Sequence, residues 1–201
     1  MKLSIVTTLY RSASFIEEFA LRVCNEAEKI TDNYEIIMVD DGSPDNSLQA
    51  ALEIQKSNPR LSVIELSRNF GHHKAMMTGL EHAKGDLVFL IDVDLEEPPE
   101  LLARFHEEMK NGSWDVVYGV QQKRKGGLIK NAGGNLGWWL IQAMLPIPIP
   151  RNQSTVRLMT KQYVRELKDK PALLMWALGN EWNYSNGYDH RWYTFANELA
   201  Q

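Results

Sequence analysis

The stretch Leu87 to Glu100, reading LVFLIDVDLEEPPE, limits this chain more than any other. Five apolar residues in a row, Leu87 to Ile91, are too few for a helix core and suit a strand buried on both faces. The run ends in acid. Asp92, Asp94 and Glu96 fall at every second position, so on an extended chain leaving a sheet their carboxylates project to one side and converge. Carboxylates held that closely repel one another unless a cation sits among them. Oxygen ligands with no Cys nearby and no His at ligand spacing suit Mg2+ or Mn2+ rather than Zn2+. The plainer alternative is a solvated strand-to-helix loop whose acids cap the next helix. Pro98 and Pro99 open that helix, ELLARFHEEMKNG.

The rest of the chain repeats the pattern of strand, loop and helix. Leu3 to Leu9 alternates and is rich in β-branched residues, a first strand, and Ser12 or Ser14 is placed to cap a helix running to about Ile30. Glu35 to Val39 is a second buried strand ending in Asp40 and Asp41. Asp45, Asn46 or Ser47 caps a helix to Ser57, which Asn58-Pro59 breaks. Leu61 to Leu66 is a third strand, His73 to Ala83 a helix, and Trp114 to Val120 a fifth strand. Strands alternating with helices predict an α/β domain with a mostly parallel central sheet covered by helices on both faces. After Val120 the regularity fails: a basic loop, an apolar stretch from Gly133 to Leu145 with Trp138 and Trp139, a PIPIP break, then helix or strand-plus-helix character from Val156 to Lys168. The apolar stretch is read either as packed under the sheet edge or as lying at a membrane interface.

With 201 residues and a net charge of −4, the chain has ample length for one core and no electrostatic footprint for nucleic acid. A single cysteine, Cys24, rules out an intrachain disulfide and a zinc cluster. It fits a reducing compartment. The N-terminus lacks the apolar region of a signal peptide, and no run approaches the ~18 apolar residues of a membrane span. The expectation is a cytoplasmic protein, or one at the cytoplasmic face of the membrane with peripheral contact; the oligomeric state is not legible.

Three strand ends carry polar groups on what should be one sheet edge: Thr7 and Thr8, Asp40 and Asp41, then Asp92, Asp94 and Glu96. Ligands of open α/β sheets bind beyond the carboxyl ends of the strands. An acid at the second strand end can accept from ribose hydroxyls or from a uracil or guanine N–H. No G-x-x-x-x-G-K-S/T is present, and the first turn, TLYRSAS, has no glycine. Without a glycine loop a diphosphate needs a metal, and the acid cluster offers one.

The segments VDDGSPDNS, SRNFGHHKAMMTGLEHAKGD and LVFLIDVDLEEPPELL, in that order, resemble the family 2 glycosyltransferases of the GT-A fold, and most closely their polyprenyl-phosphate branch, similar to dolichyl-phosphate mannose synthase. The resemblance covers roughly residues 3 to 170. It implies an inverting transferase that moves a hexose from a nucleoside-diphosphate sugar to a polyprenyl phosphate. A sugar hydroxyl of a surface glycan is the alternative acceptor. A nucleotide- or metal-binding module without transfer activity and a nucleotidyltransferase are the alternatives of other classes. On the resemblance, Asp40 and Asp41 hold base and ribose, and Thr8, Tyr10, Lys74 and Arg124 join them on the donor. Asp92 and Asp94 bind the ion on the diphosphate, Glu96 standing where the branch usually has Gln. Asp94, Arg157 and Glu181 are the candidate catalytic residues. His72 and His73 are read as exposed imidazoles at a helix N-terminus. The whole of 1–201 is read as one catalytic domain, its nucleotide part about 1–120 and its acceptor part about 121–201. Trp176, Trp182 and Trp192 are read as an acceptor platform or as anchors to the core.

Overall fold

The computed structural model describes residues 1–120 and 153–168. The elements run β1 (Leu3–Leu9), α1 (Ile16–Glu28), β2 (Tyr34–Asp40), α2 (Ser47–Ser57), β3 (Leu61–Glu65), α3 (His72–His82), β4 (Leu87–Leu90), α4 (Leu101–Asn111), β5 (Val116–Val120), β6 (Gln153–Thr160) and α5 (Lys161–Lys168). They build one six-stranded sheet in the order β3-β2-β1-β4-β6-β5. β1, β2, β3 and β4 pair in parallel, and β6 lies antiparallel between β4 and β5. The mostly parallel sheet expected from the sequence is therefore present, with one antiparallel insertion that the sequence did not announce. The apolar stretch of residues 133–145 and Trp176, Trp182 and Trp192 lie outside the described residues. Among the described residues no helix is long and apolar enough to cross a membrane.

Strand residues alternate between two cores. Ile5, Leu9, Ile36, Met38 and Phe89 pack beneath α1, α2 and α4 with Ile16, Phe19, Ala51, Leu102 and Phe105. Val6, Ile37, Val39, Val88 and Leu90 pack on the other side with Ala75, Met76 and Leu80 of α3 and Val164 of α5. Phe89 and Phe105 meet edge to face, ring centroids 6.3 Å apart, an arrangement that adds about 1 kcal/mol to their burial. α3 rides close to the sheet because Gly79 has no side chain; a Cβ there would collide with Val6. That contact fixes where the helix begins.

The cap expected for α1 is corrected, whereas that of α2 falls among the expected residues. The residue before α1 is Phe15, which makes no side-chain cap bond. Ser12 instead closes the preceding turn, accepting from Tyr10 N–H and donating to Tyr10 O, both at 3.0 Å. At α2 the cap position falls on Asn46, again without a side-chain bond, and Asp45 Oδ1 takes the Ser47 N–H at 3.1 Å.

Candidate active site

The carboxyl ends of β1, β2 and β4 lie side by side, with Leu9 opposite Asp40 and Val6 opposite Leu90. Asp40, the last residue of β2, is buried. Its Oδ2 accepts from Ser43 N–H at 3.1 Å, whereas Oδ1 is buried with no hydrogen-bond partner. Burial raises its proton affinity, the Ser43 N–H opposes this, and the charge of Glu65 adds to it. Asp41 is turned to the protein itself: its two oxygens accept from Phe70 N–H at 2.7 Å and Gly71 N–H at 3.0 Å. Sequence reasoning set it beside Asp40 on the nucleotide; it holds the loop that leads into α3. Gly42 follows at φ +60, and a Cβ there would come within 2.5 Å of the Arg68 and Asn69 backbone, so this loop contact requires glycine.

Beyond β4 the chain does not stay extended. Asp94 Oδ1 accepts from Glu96 N–H at 2.9 Å, and Leu95 sits at φ +61. This turn replaces the every-second-residue projection that was to bring Asp92, Asp94 and Glu96 together. Among the described residues no three His, Cys, Asp or Glu side chains gather closely enough to hold a cation. Asp94 and Glu96 are exposed, Asp92 half-buried, and Glu97 buried at 5% exposure. Burial drives the Glu97 carboxyl well above the usual carboxylate range, and the charges of Asp92 and Asp94 push the same way against Arg157. Partial withdrawal from water raises Asp94, helped by Glu96 and opposed by the Glu96 N–H and His72. Sequence reasoning missed Glu97, because in an extended chain it would point away from the acids.

Arg157, on β6 opposite Leu90, comes to this edge from behind. Its guanidinium is buried and donates to Thr155 O and Ser154 O, each at 3.0 Å. Burial lowers its pKa, while Tyr163, Glu97, Tyr118 and Asp92 hold it up. It is therefore no surface cation.

The expectation of exposed histidines is corrected for His72. The first residue of α3 lies between two strand ends, its Nδ1 2.9 Å from Thr8 Oγ1 and its Nε2 3.4 Å from Asp92 Oδ1. Thr8 is buried, and its hydroxyl meets this ring. Lys74, in the same helical turn, is exposed. Tyr10 is 44% exposed at the end of β1 with Arg11 stacked 5.6 Å from its ring centroid. Thr8, Tyr10, Asp40, Asp92, Asp94 and Arg157 thus share one sheet edge. Arg124 and Glu181 lie outside the described residues.

Residues 4–167 match the model of the family described as Glycosyl transferase family 2. A Mycobacterium tuberculosis protein described as a glycosyltransferase is 45% identical over 210 residues, covering 100% of this chain and 61% of its own length. Among solved structures, the mannosyltransferase PcManGT from Pyrobaculum calidifontis, in complex with GDP-Man and Mn2+, aligns with a TM-score of 0.59 at 21% identity, covering 82% of this chain and 46% of that one. S. aureus TarS, in complex with UDP-GlcNAc, aligns with a TM-score of 0.52 at 22% identity over 85% of this chain and 47% of its own. These likenesses show the GT-A fold. The chain spans 61% of the length of the mycobacterial relative.

Proposed function

The chain belongs to glycosyl transferase family 2, and on that premise we propose that it transfers a hexose with inversion from a nucleoside-diphosphate sugar to a polyprenyl phosphate at the cytoplasmic face of a membrane. The observation that carries this reading is the row of carboxylates along one sheet edge. Asp40, with its buried and unpartnered Oδ1, stands at one end, and Asp92 and Asp94 stand at the other. A buried acceptor without a partner is costly, and a base or ribose donor satisfies it. Residues 1–120 supply the donor side and 121–201 the acceptor side, where Arg124 and Glu181 fall.

The acidic loop fits Mg2+ or Mn2+. Its donors are hard oxygens, burial and the charge of Glu96 raise the Asp94 carboxyl, and a small divalent ion takes one or two carboxylates while phosphate oxygens complete its shell. A site with fewer than three protein ligands suits an ion that arrives with a diphosphate. Asp92 and Asp94 would hold it, Glu96 standing beside them, and bound there it offsets the negative charge that develops on the departing nucleoside diphosphate. Lys74, in the first turn of α3, stands where it can pair with the same phosphates. The buried Arg157 adds a positive field beneath Asp92. In the transfer an acceptor phosphate oxygen forms the new bond at the anomeric carbon from the face opposite the diphosphate, whose C–O bond breaks and keeps the electron pair. An acceptor that is already anionic needs no general base.

Calorimetric titration with UDP, GDP and dTDP, each with and without Mn2+, tests this reading. The expected result is metal-dependent binding of one nucleotide that weakens at least tenfold, or about 1.4 kcal/mol, in Asp92→Ala. Binding that ignores both the metal and Asp92 would overturn it.

A further inference from the structure

Thr8, His72 and Asp92 come from three separate elements, the end of β1, the start of α3 and the exit of β4. They form one line at the centre of the sheet edge. The His72 ring lies between the other two: the Thr8 hydroxyl bonds Nδ1 at 2.9 Å, and Asp92 Oδ1 stands 3.4 Å from Nε2, within ion-pair distance but outside hydrogen-bond geometry. The ring has little freedom to leave. Thr8 is 7% exposed, the His72 side chain 26%, and α3 is held against Val6 through Gly79.

The chemistry of the line sets its protons. A carboxylate only accepts, so for Nε2 to hydrogen-bond Asp92 it is Nε2 that carries the hydrogen. In a neutral ring the other nitrogen is then an acceptor, and the Thr8 hydroxyl donates to it. The 3.4 Å separation is long for a hydrogen bond, as such contacts often are before a ligand tightens them.

We infer that His72, oriented by Thr8, is a positioning residue for Asp92: its Nε2–H engages Oδ1 and turns the other carboxylate oxygen toward the divalent cation. This rests on Asp92 being a cation ligand, as proposed above. The arrangement explains why a histidine, and not a simple apolar residue, fills a half-buried place between two strand ends. It also assigns Thr8 to orienting the imidazole rather than to touching the donor. Groups that orient a ligating carboxylate or imidazole change metal affinity by about 10–100-fold when removed.

Two measurements test it. The first needs no metal: long-range 1H–15N spectra of the histidine rings should show His72 as the Nε2–H tautomer, with tautomers mixed in Thr8→Val. A His72 ring protonated at Nδ1 alone would overturn the inference. The second is the Mn2+ concentration needed for half-maximal nucleotide binding. It should rise about 10–100-fold in His72→Ala and in Thr8→Val. If Asp92→Ala abolishes metal-dependent binding but Thr8→Val and His72→Ala leave the Mn2+ requirement unchanged, the inference fails and the donor-site reading stands. If Asp92→Ala itself changes nothing, the underlying reading falls. Should His72→Ala not fold, the near-isosteric Thr8→Val decides alone, since an unchanged Mn2+ requirement there overturns the inference.

Discussion

Asp45 ties together the two loops that present Tyr10 and Asp40. It accepts from the hydroxyls of Ser43 and Ser47, from Ser47 N–H at 3.1 Å and from Ala13 N–H at 3.2 Å. Ser43 in turn accepts from Arg11 N–H, and Ser47 from Ser12 N–H, each at 2.8 Å, so the first and second strand ends are stitched side by side. Withdrawal from water pushes the Asp45 carboxyl up, but the hydrogen bonds outweigh it and hold it at about 2, below its ordinary 3.8. A depressed folded value gives stability that is present above the unfolded value and is lost as pH falls through the folded one. The side chain is exposed, and solvent screening reduces the effect to about 1 kcal/mol. Urea denaturation should therefore show Asp45→Asn less stable than wild type by about 1 kcal/mol at pH 5, the gap narrowing toward pH 2. A gap that keeps its size over that range would mean that the charge of Asp45 plays no part.

At the scale of elements, the strands and helices up to β5 were legible within a few residues, because apolar runs and turn residues mark them locally. The place of β6 was not. Its insertion between β4 and β5 depends on pairing with strands distant in sequence, and no local period encodes that. The site divides in the same way. Asp40 and Asp92 were legible because strand ends in a parallel sheet point to one edge. The turn at Asp94 was not, because it needs Leu95 at φ +61, a conformation a leucine rarely adopts. Nor was the role of Asp41, which depends on a distant loop, or the burial of His72, which depends on how closely α3 docks through Gly79. β6 also delivers the buried Arg157 into the field of Glu97. Removing the buried guanidinium leaves the Thr155 and Ser154 carbonyls it satisfies without that donor, so Arg157→Met should destabilise the fold by about 2 kcal/mol. Adding Glu97→Gln in the same chain tests whether the field of Arg157 acts on that acid, a coupled pair giving a combined loss smaller than the sum of the two. Chemical denaturation of the two single variants and the double variant measures the coupling, and additive losses would show that the two groups are independent.

For the molecule as a whole, the candidate donor site draws on residues as far apart in sequence as Asp40, Asp92 and Arg157, which only the folded sheet brings together. A ligand that bridges these strand ends binds the native state and has no counterpart in the unfolded chain. Its binding energy therefore appears as fold stability. At a hundred times its dissociation constant such a ligand adds about 2.7 kcal/mol. For a chain of 201 residues each kcal/mol raises Tm by about 2–4 °C, which puts the expected shift at about 5–10 °C. Thermal melts with the preferred nucleotide and Mn2+ should show this rise, and a chelator should remove the metal-dependent part of it. In Asp92→Ala the nucleotide should give the same smaller shift with or without Mn2+. A full shift that survives both the chelator and Asp92→Ala would place the nucleotide away from the acidic loop and separate the sheet edge from the metal chemistry assigned to it.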